Sequence, residues 1–280
     1  MISSPVRRFA LVLLTMAAAL SPLQVRAEGW PAQVHAIYRI NFNGLDLGTF
    51  DFNSRVKDNS YQLTGNANVS ALFGAYEWKG LSRASGLALQ AGPQPASYYF
   101  AFKSNSKAGN VHMTFADTSV AKIVADPPIR SSVAAVPLKE AHLKGVVDPL
   151  SAVLALAKPA SGRTTGINPC ARRVGIFDGK QRFDIALSFK RQASITEVGG
   201  RNGNAIVCRV KYIPVAGHKL NEETRSMMQA TGIEIWMLPM PEAGLFVPYH
   251  IVIPTMAGNA TMTVDKISID TTRGRIALTH

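Results

Sequence analysis

The feature that most constrains the fold of this chain is an alternation of apolar and polar residues that recurs along most of its length. In residues 182–190 (RFDIALSFK) every second residue is apolar, from Phe183 to Phe189. Residues 205–212 repeat the pattern and place Cys208 among the apolar positions. Because successive side chains of a strand point to opposite faces, this period of two predicts antiparallel strands with one buried face.

Two dipeptides mark where such strands turn back as hairpins. Asn43-Gly44 separates two alternating segments, 34–42 and 45–53, and Asp178-Gly179 separates 173–177 from 182–190. Both dipeptides suit tight turns, in which the central residues adopt positive φ. With the further candidates, the pattern predicts about fourteen strands. The further candidates are 61–70, 75–82, 97–103, 110–116, 119–125, 193–198, 232–238, 246–253, 260–269 and 274–279.

One clear helix signal interrupts the strands. Asp148 can accept hydrogen bonds as an N-cap, Pro149 suits the first helical position, and apolar residues follow to residue 157. A second short helix is predicted at 221–229, with Asn221 as its cap. The fold class expected is therefore all-β: a single, strongly curved antiparallel sheet, a half-barrel or β-spiral, with one or two short helices.

The domain organisation follows from these signals and from the first 27 residues. Residues 28–280 are expected to form a single curved β-domain with two β-rich halves, about 34–126 and 170–280, joined by the helical link 148–157. Residues 1–27 carry Arg7 and Arg8, a short apolar run and a small-residue cleavage site at Ala27. This arrangement is typical of a Sec signal peptide, so we expect a periplasmic protein cleaved near Ala27.

The two cysteines fit an exported chain. Cys170 and Cys208 are the only cysteines, and two cysteines in an oxidising compartment most simply form one disulfide. They are too far apart for a redox C-x-x-C motif, and no His or Asp cluster accompanies them at metal-ligand spacing. We therefore expect a structural Cys170–Cys208 bond.

The segment 170–212 carries a surplus of basic residues, which predicts a basic surface. Export makes nucleic acid an unsuitable partner, so the candidates are an anionic envelope surface, such as lipid headgroups, or a periplasmic protein. The alternative is that these charges are solvated outer faces of strands. The candidate basic residues are Arg172, Arg173, Lys180, Arg182, Lys190 and Arg191.

No sequence motif indicates catalysis, a metal or a cofactor. The chain has no nucleophile elbow, zinc-protease motif, Walker loop or dinucleotide fingerprint, and its six histidines are scattered. Carboxylates for hydrolysis could still meet in space, and the candidate pairs are Asp46 with Asp51 and Asp178 with Asp184. These residues also suit ordinary turns and outer strand faces. We therefore predict no catalytic residues, no metal ligands and no cofactor.

Three segments are apolar on both faces: 98–102, 233–238 and 246–253. A strand buried on both faces lies within a sandwich or in a sheet that curls around something. A curved sheet with the 148–157 helix on its concave side could hold a lipid-like ligand between helix and sheet, although a plain packed core would show the same pattern. The candidate pocket residues are Leu150, Leu154, Tyr99, Phe102, Ile235, Met237 and Phe246.

Several motifs resemble those of the domain of unknown function 3108 family. They are the opening hairpin 38–49, the Ser85-Gly86 step that leads to 95–98, the helix start 147–152, and Cys170 followed by 177–180. The resemblance implies an exported envelope protein of Gram-negative bacteria with a strongly curved β architecture and no established reaction. It is similar at the level of fold to lipoprotein-carrier half-barrels, and it supplies no functional residues.

Three functions fit the sequence. The first is a periplasmic, non-enzymatic envelope protein that binds an apolar ligand or an envelope protein. The second is a structural or interaction protein whose interior is filled by its own side chains. The third is an envelope hydrolase with carboxylates assembled in space. A ligand-sized volume beneath the 148–157 helix would distinguish the first from the second.

Overall fold

The computed structural model of the protein describes residues 29–129, 132–158, 164, 166–198 and 201–279, and these contain one antiparallel sheet and two α-helices. The helices are α1 (Pro149–Ala157) and α2 (Glu222–Gln229). The strands are β1 (Gln33–Phe42), β2 (Leu45–Lys57), β3 (Ser60–Ala71), β4 (Tyr76–Leu89), β5 (Gly92–Ser104), β6 (Ala108–Ala116), β7 (Ser119–Asp126), β8 (Arg172–Phe177), β9 (Arg182–Val198), β10 (Arg201–Ala216), β11 (Glu234–Met240), β12 (Leu245–Thr255), β13 (Gly258–Thr271) and β14 (Gly274–Thr279).

The sheet runs without interruption through both halves of the chain. Its strand order is β7-β6-β5-β4-β3-β2-β1-β13-β12-β11-β10-β9-β8, and β14 adds to β13. β1 pairs with both β2 and β13, so the first strand joins the two halves in the middle of the sheet. Among the described residues β7 and β8 do not pair with each other, so the barrel is not closed. The predicted fold class, a mostly β chain with one large antiparallel sheet and short helices, is confirmed.

The turn chemistry of the first hairpin is as predicted. Asn43 and Gly44 both have positive φ, 50° and 84°, and the ladder from β1 to β2 starts at Phe42 and Leu45. The second predicted turn also forms, with Gly179 at φ 100°. Asp178 stabilises it because its Oδ1 accepts hydrogen bonds from the backbone N–H groups of Lys180 and Gln181, at 2.8 and 2.7 Å.

The connection between β7 and α1 links the two edges of the open sheet. Lys144 forms a bridge with Ser119 at the start of β7, and the N–H of Val146 donates to the carbonyl of Thr118 at 3.3 Å. Val147 then pairs with β8, because its N–H donates to Gly175 and its carbonyl accepts from Phe177. A single short segment, 144–147, therefore spans the gap where the barrel does not close.

Helix α1 lies against the concave side of the sheet. It contacts β3, β4, β5, β8 and β12, which only a curved sheet can bring around one helix of nine residues. Leu150 and Leu154, one turn apart, are both buried, with 5% and 4% of their surface exposed. Asp148 caps the helix as predicted, and the guanidinium of Arg172 donates to the carbonyls of Ala155 and Lys158 at its C-terminal end.

The buried apolar residues form two clusters. The inner core surrounds Leu150 and Leu154 and includes residues of every strand of the sheet, most of them from β1 to β6, β12 and β13. The second core lies around β8 to β12, and Leu156, Cys170 and Cys208 belong to it. Helix α2, capped by Asn221 as predicted, adds Met227 to the second core. Neither helix, nor any other helical segment of the described residues, has the length and hydropathy of a membrane span.

Two details of the strand prediction were wrong. Segments 182–190 and 193–198 are not separate strands but parts of the continuous strand β9. The faces of β9 also deviate from simple alternation, since Phe189 is 52% exposed while Asp184, expected outside, is buried. The arginines explain the second difference, because Arg173 and Arg182 both pair with the Asp184 carboxylate and cover it.

Candidate functional site

The predicted disulfide forms and lies in the second core. Cys170 and Cys208 are bonded, and neither is exposed to solvent. The bond joins the segment before β8 to the middle of β10. Of the described residues no cysteine is free. The disulfide is structural, because it is enclosed by apolar residues such as Leu187 and Ile235.

The space beneath α1 is too small for a ligand. The cavity between this helix and the sheet has a volume of about 40 Å³ and lies among Trp30, Val153, Leu154 and Phe246. Pockets that hold small molecules have volumes of roughly 300–1,000 Å³. The side chains of the protein itself therefore fill the concave side where the helix lies.

The residues predicted to line one apolar pocket do not all meet in one place, although Leu154 and Phe246 both line the small cavity beneath α1. Leu150 and Leu154 belong to the inner core, whereas Ile235, Met237 and Phe246 belong to the second core. Tyr99 and Phe102 are both half-buried on β5, but their positions differ by three, an odd number, so they face opposite sides of the sheet. Of this set, only Phe102 lines a cleft of ligand size.

That cleft lies beyond the N-terminal end of α1, on the concave face of β5 and β6. We call it the mouth cleft, and its volume is about 820 Å³. Its apolar floor is formed by alternate residues of the two strands, since Tyr98, Phe100 and Phe102 share one face of β5. The rings of Phe100 and Phe102 stack with centroids 6.1 Å apart. The residues that line the mouth cleft are Tyr98, Phe100, Phe102, Ser106, Lys107, Ala108, Gly109, Asn110, Val111, Ala125, Asp126, Pro127, Pro128, Ile129, Pro149, Asp178, Gly179 and Lys180.

Glycines let the aromatic rings lie close to the sheet. A Cβ on Gly109 would lie 3.0 Å from Cε1 of Phe102, and a Cβ on Gly80 would lie 2.4 Å from the Trp78 ring. The rings of Trp78 and Phe100 lie 6.5 Å apart, so a row of three rings runs from β4 across β5. The cleft floor is therefore a broad aromatic surface.

Two carboxylates, Asp126 and Asp178, line the mouth cleft. Burial raises the pKa of Asp178. The hydrogen bonds that its carboxylate accepts from the N–H groups of Lys180 and Gln181 oppose this shift. A carboxyl with a raised pKa in a cleft is a candidate general acid. Here its Oδ1 already has a structural role in the 178–181 turn, and Lys180 lies beside it, so the arrangement fits a polar rim better than an acid–base pair.

A second cleft lies along the outer edge of β7. We call it the edge cleft, and its volume is about 1,140 Å³. It shares Ala125, Pro128, Ile129, Gly179 and Lys180 with the mouth cleft, so the two clefts meet at the 178–180 turn. The residues that line it are Ile123, Val124, Ala125, Pro128, Ile129, Ser132, Val133, Ala135, Val136, Pro137, Leu138, Gly179, Lys180, Gln181, Tyr212, Gly217, Lys219, Asn221, Glu223, Thr224 and Met227.

A buried polar network holds the start of α1 in place. The Oγ of Ser151 donates to Oδ2 of Asp148 at 2.5 Å, and it also shares a 2.7 Å hydrogen bond with the hydroxyl of Tyr61 on β3. Burial raises the pKa of Asp148 to about 6, against the opposing effect of the hydrogen bonds that its carboxylate accepts. The network ties the helix to the sheet beside the mouth cleft.

The predicted basic residues are mostly engaged with other groups of the protein. Arg172 caps α1, Arg173 and Arg182 pair with Asp184, and Lys190 and Arg191 pair with Glu234. The guanidinium of Arg191 also lies 4.8 Å from the centre of the Trp236 ring. Lys180 is exposed and lines both clefts. The six side chains are therefore spread over a helix end, two ion-paired clusters and the cleft rim, and they do not form a single basic surface.

The carboxylate pairs proposed for hydrolysis are also engaged elsewhere. Asp46 accepts from the N–H of Gly48 at 2.9 Å, and Asp51 lies 3.1 Å from the ring of His35. Asp178 holds its turn and Asp184 binds two arginines. In the described part of the chain no three His, Cys, Asp or Glu side chains lie close enough to hold a metal ion.

Alternation alone did not reveal either cleft. Val124, Ile129, Val133 and Leu138 are large apolar residues that remain exposed around the edge cleft. The last three belong to the apolar, proline-containing part of the chain after β7, to which alternation assigned no element. Phe100 lies in the predicted strand 97–103 and Gly109 directly before the predicted strand 110–116, but only the structure shows that α1 does not cover them.

Comparisons with known proteins identify a family and supply no activity. A family model described as "Protein of unknown function (DUF3108)" matches residues 37–265. No curated protein matches the sequence significantly. A crystal structure titled as a β-barrel-like protein of domain of unknown function DUF1849 from Brucella abortus aligns with 86% of this chain and 98% of its own, at 9% identity and a TM-score of 0.49.

Proposed function

Since the chain belongs to the DUF3108 family of proteins of unknown function, we propose that it is an exported, non-enzymatic binding protein that holds an apolar, lipid-like ligand in the mouth cleft. The observation that carries the proposal is the aromatic floor of this 820 Å³ cleft, where Phe100 and Phe102 remain only partly buried. Binding sites for small apolar molecules are concave, mostly apolar and bordered by a few polar groups.

The surroundings of the cleft support binding without catalysis. Pro149 at the start of α1 forms one wall, and Lys107, Asp126 and Lys180 form a polar rim. Acyl chains would contact the aromatic floor while a polar headgroup stays near this rim. The signal-like leader supports export to the periplasm, and it lies outside the described residues.

A second candidate function is a structural or interaction protein that binds no small ligand. The filled space beneath α1 favours it, because the interior there needs no ligand for its stability. The two candidates make different predictions for protein purified from its natural compartment.

Native mass spectrometry followed by lipid extraction tests the proposal on protein isolated from periplasm. We expect a stoichiometric apolar molecule on the wild-type protein and its loss from Phe102→Glu, which places a charge on the cleft floor. Tyr99→Glu is the matched control, because Tyr99 is a half-buried aromatic residue on the opposite face of β5. An unliganded wild-type protein, or equal loss from both variants, would favour the structural alternative.

A further inference from the structure

The two outer edges of the sheet differ in whether another segment of the chain covers them, and this difference points to a second site. The edge of β8 is covered, since the N–H of Val147 donates to Gly175 and its carbonyl accepts from Phe177. The outer edge of β7 is bridged by Lys144 at Ser119. After that residue no described segment pairs with this outer edge. An uncovered edge presents backbone donors and acceptors to any extended chain that can reach it.

The hydrogen-bond ladder shows which groups of β7 face outwards. The N–H of Ser104 donates to the carbonyl of Lys107 at 2.7 Å, which makes these residues a hydrogen-bonded pair that closes the β5–β6 hairpin. Bonded and non-bonded pairs alternate along an antiparallel ladder. The registers of β6 with β5 and with β7 are regular over 110–114, so the His112–Val124 pair is bonded. The N–H and carbonyl groups of Ile123 and Ala125 therefore point away from β6, into the edge cleft.

The opposite wall of the edge cleft suits the side chains of an added strand. Strand β7 ends at Asp126, and farther along the chain Ala135 bridges Lys219. Between and beyond these points Ile129, Val133 and Leu138 line the cleft, and all three remain exposed. The cleft thus combines a backbone edge on one side with apolar side chains on the other.

The lining of the edge cleft carries a small net positive charge. Lys180 and Lys219 line it with one acid, Glu223, and β7 itself carries one exposed charge of each sign, Lys122 and Asp126. Acidic residues in a bound segment would be attracted to these lysines, whereas basic ones would be repelled.

We propose that the edge cleft binds an extended, apolar and acidic segment of a partner protein, which adds to β7 as a further antiparallel or parallel strand. The backbone of Ile123 and Ala125 provides the hydrogen bonds, the side chains of Ile129, Val133 and Leu138 contact the apolar side chains of the segment, and the lysines select acidic residues. This is strand addition, in which main-chain bonds give affinity and side-chain contacts give specificity. The site is separate from the aromatic floor of the mouth cleft.

The test uses the full chain and a synthetic peptide of alternating valine and glutamate with blocked ends. In NMR spectra of the isotope-labelled protein, we expect the amide signals of Ile123 and Ala125 to shift and their hydrogen exchange to slow. The same peptide with lysine in place of glutamate should bind at least roughly tenfold more weakly. Equal binding of both peptides, or unchanged Ile123 and Ala125 signals with the acidic peptide, would overturn the proposal.

Two substitutions at exposed residues distinguish an effect on the edge cleft from an effect of added negative charge elsewhere on the surface. Val133→Glu adds a negative charge opposite β7 and should weaken the acidic peptide about tenfold or more. Leu45→Glu adds the same charge at the exposed first residue of β2 and should leave peptide affinity unchanged. Equal affinities of the two variants would contradict the proposed site.

A third variant tests the backbone directly. Ile123→Pro removes an N–H that faces the edge cleft, and Ile123 does not line the mouth cleft. Proline is tolerated on sheet edges. We expect loss of peptide binding with unchanged binding of apolar ligand, and because only the peptide measurement tests the edge cleft, its failure is distinguishable from failure of the proposed function. If Ile123 and Ala125 signals shift with protein concentration in the absence of peptide, a second copy occupies the edge and the proposal is wrong.

Discussion

The concave side of the sheet is closed where α1 lies and open where α1 does not reach. Beneath the helix the remaining cavity is about 40 Å³, whereas the mouth cleft on β5 and β6 measures about 820 Å³. Length explains the difference. Nine helical residues extend about 14 Å at 1.5 Å per residue. The thirteen residues of β5 extend about 43 Å at 3.3 Å per residue. One short helix cannot cover such strands, so part of their concave face remains available to a ligand.

The largest effect should come from disturbing the closed region. Leu154→Ala is expected to lower the free energy of unfolding by about 2–5 kcal/mol, because it leaves a cavity in a packed core. Leu154→Asp should prevent folding. Urea denaturation of Leu154→Ala and of the exposed-site control Val133→Ala would measure the contrast. An unchanged midpoint for Leu154→Ala would show that the helix is not packed into the sheet.

The disulfide should contribute a comparable amount on the other side of the molecule. Cys170 and Cys208 are 38 residues apart, and closing a loop of that length stabilises a protein by about 4 kcal/mol in the chain-entropy model. We expect Cys208→Ser to lose roughly 2–5 kcal/mol. Labelling the denatured, unreduced protein should detect no free thiol, and two labelled thiols would contradict the bond.

The network at the start of α1 should make the boundary between the two regions sensitive to pH. The folded protein raises the pKa of Asp148 to about 6 from an ordinary 3.8, so folding favours the protonated form. The stabilisation of the folded protein by protonated Asp148 is therefore complete below about pH 4 and is lost as the pH rises through 6. A shift of about two units corresponds to roughly 3 kcal/mol.

Replacement of this carboxyl by an amide isolates its effect. Asp148→Asn can still accept the cap hydrogen bonds but cannot ionise. Relative to wild type, this variant should gain about 3 kcal/mol of stability between about pH 4 and pH 7, measured by urea denaturation at both values. The exposed control Glu242→Gln should follow the wild type. A constant difference between Asp148→Asn and wild type would show that Asp148 ionises normally.

Two neighbouring arginines, Arg172 at the C-terminal end of α1 and Arg173 beside it on β8, should differ by a smaller amount in their contribution to stability. Arg172→Met removes the guanidinium that caps Ala155 and Lys158, at an expected cost of about 1–3 kcal/mol. Arg173→Met breaks an ion pair whose arginine is mostly exposed, and such pairs contribute about 0–1 kcal/mol. Thermal melts of the two variants give the comparison, and a larger loss for Arg173→Met would reverse our assignment.

The fold could be predicted from the sequence because its signals are local. Alternation identified the strands, Asn43-Gly44 fixed the first hairpin, and Asp148-Pro149 located α1. The disulfide was predicted from two cysteines in an exported chain. Each of these inferences depends on residues that are close in sequence or on a pairing with no alternative.

The site could not be predicted in the same way, because it depends on which strands meet. Leu154 and Met237 are both apolar and buried, yet they lie in different cores, and the sequence contains no mark of that difference. The register of β9 with β10 also shifts between Val207 and Cys208, because Lys190 of β9 has no partner there. The ion pairs of Arg173 and Arg182 with Asp184 likewise join residues whose proximity only the strand register reveals.

An NMR titration of the isotope-labelled protein with an apolar fluorescent probe, such as an arylnaphthylamine, shows directly which part of the concave face binds ligand. If ligand binds where α1 does not reach, the amide signals of Phe102, Gly109 and Val111 shift while those of Leu154 and Ala157 remain unchanged. If instead the signals of Leu154, Ala157 and Phe246 shift and those of the mouth-cleft residues do not, the interior beneath the helix opens to ligand. That result would contradict ligand binding in the mouth cleft.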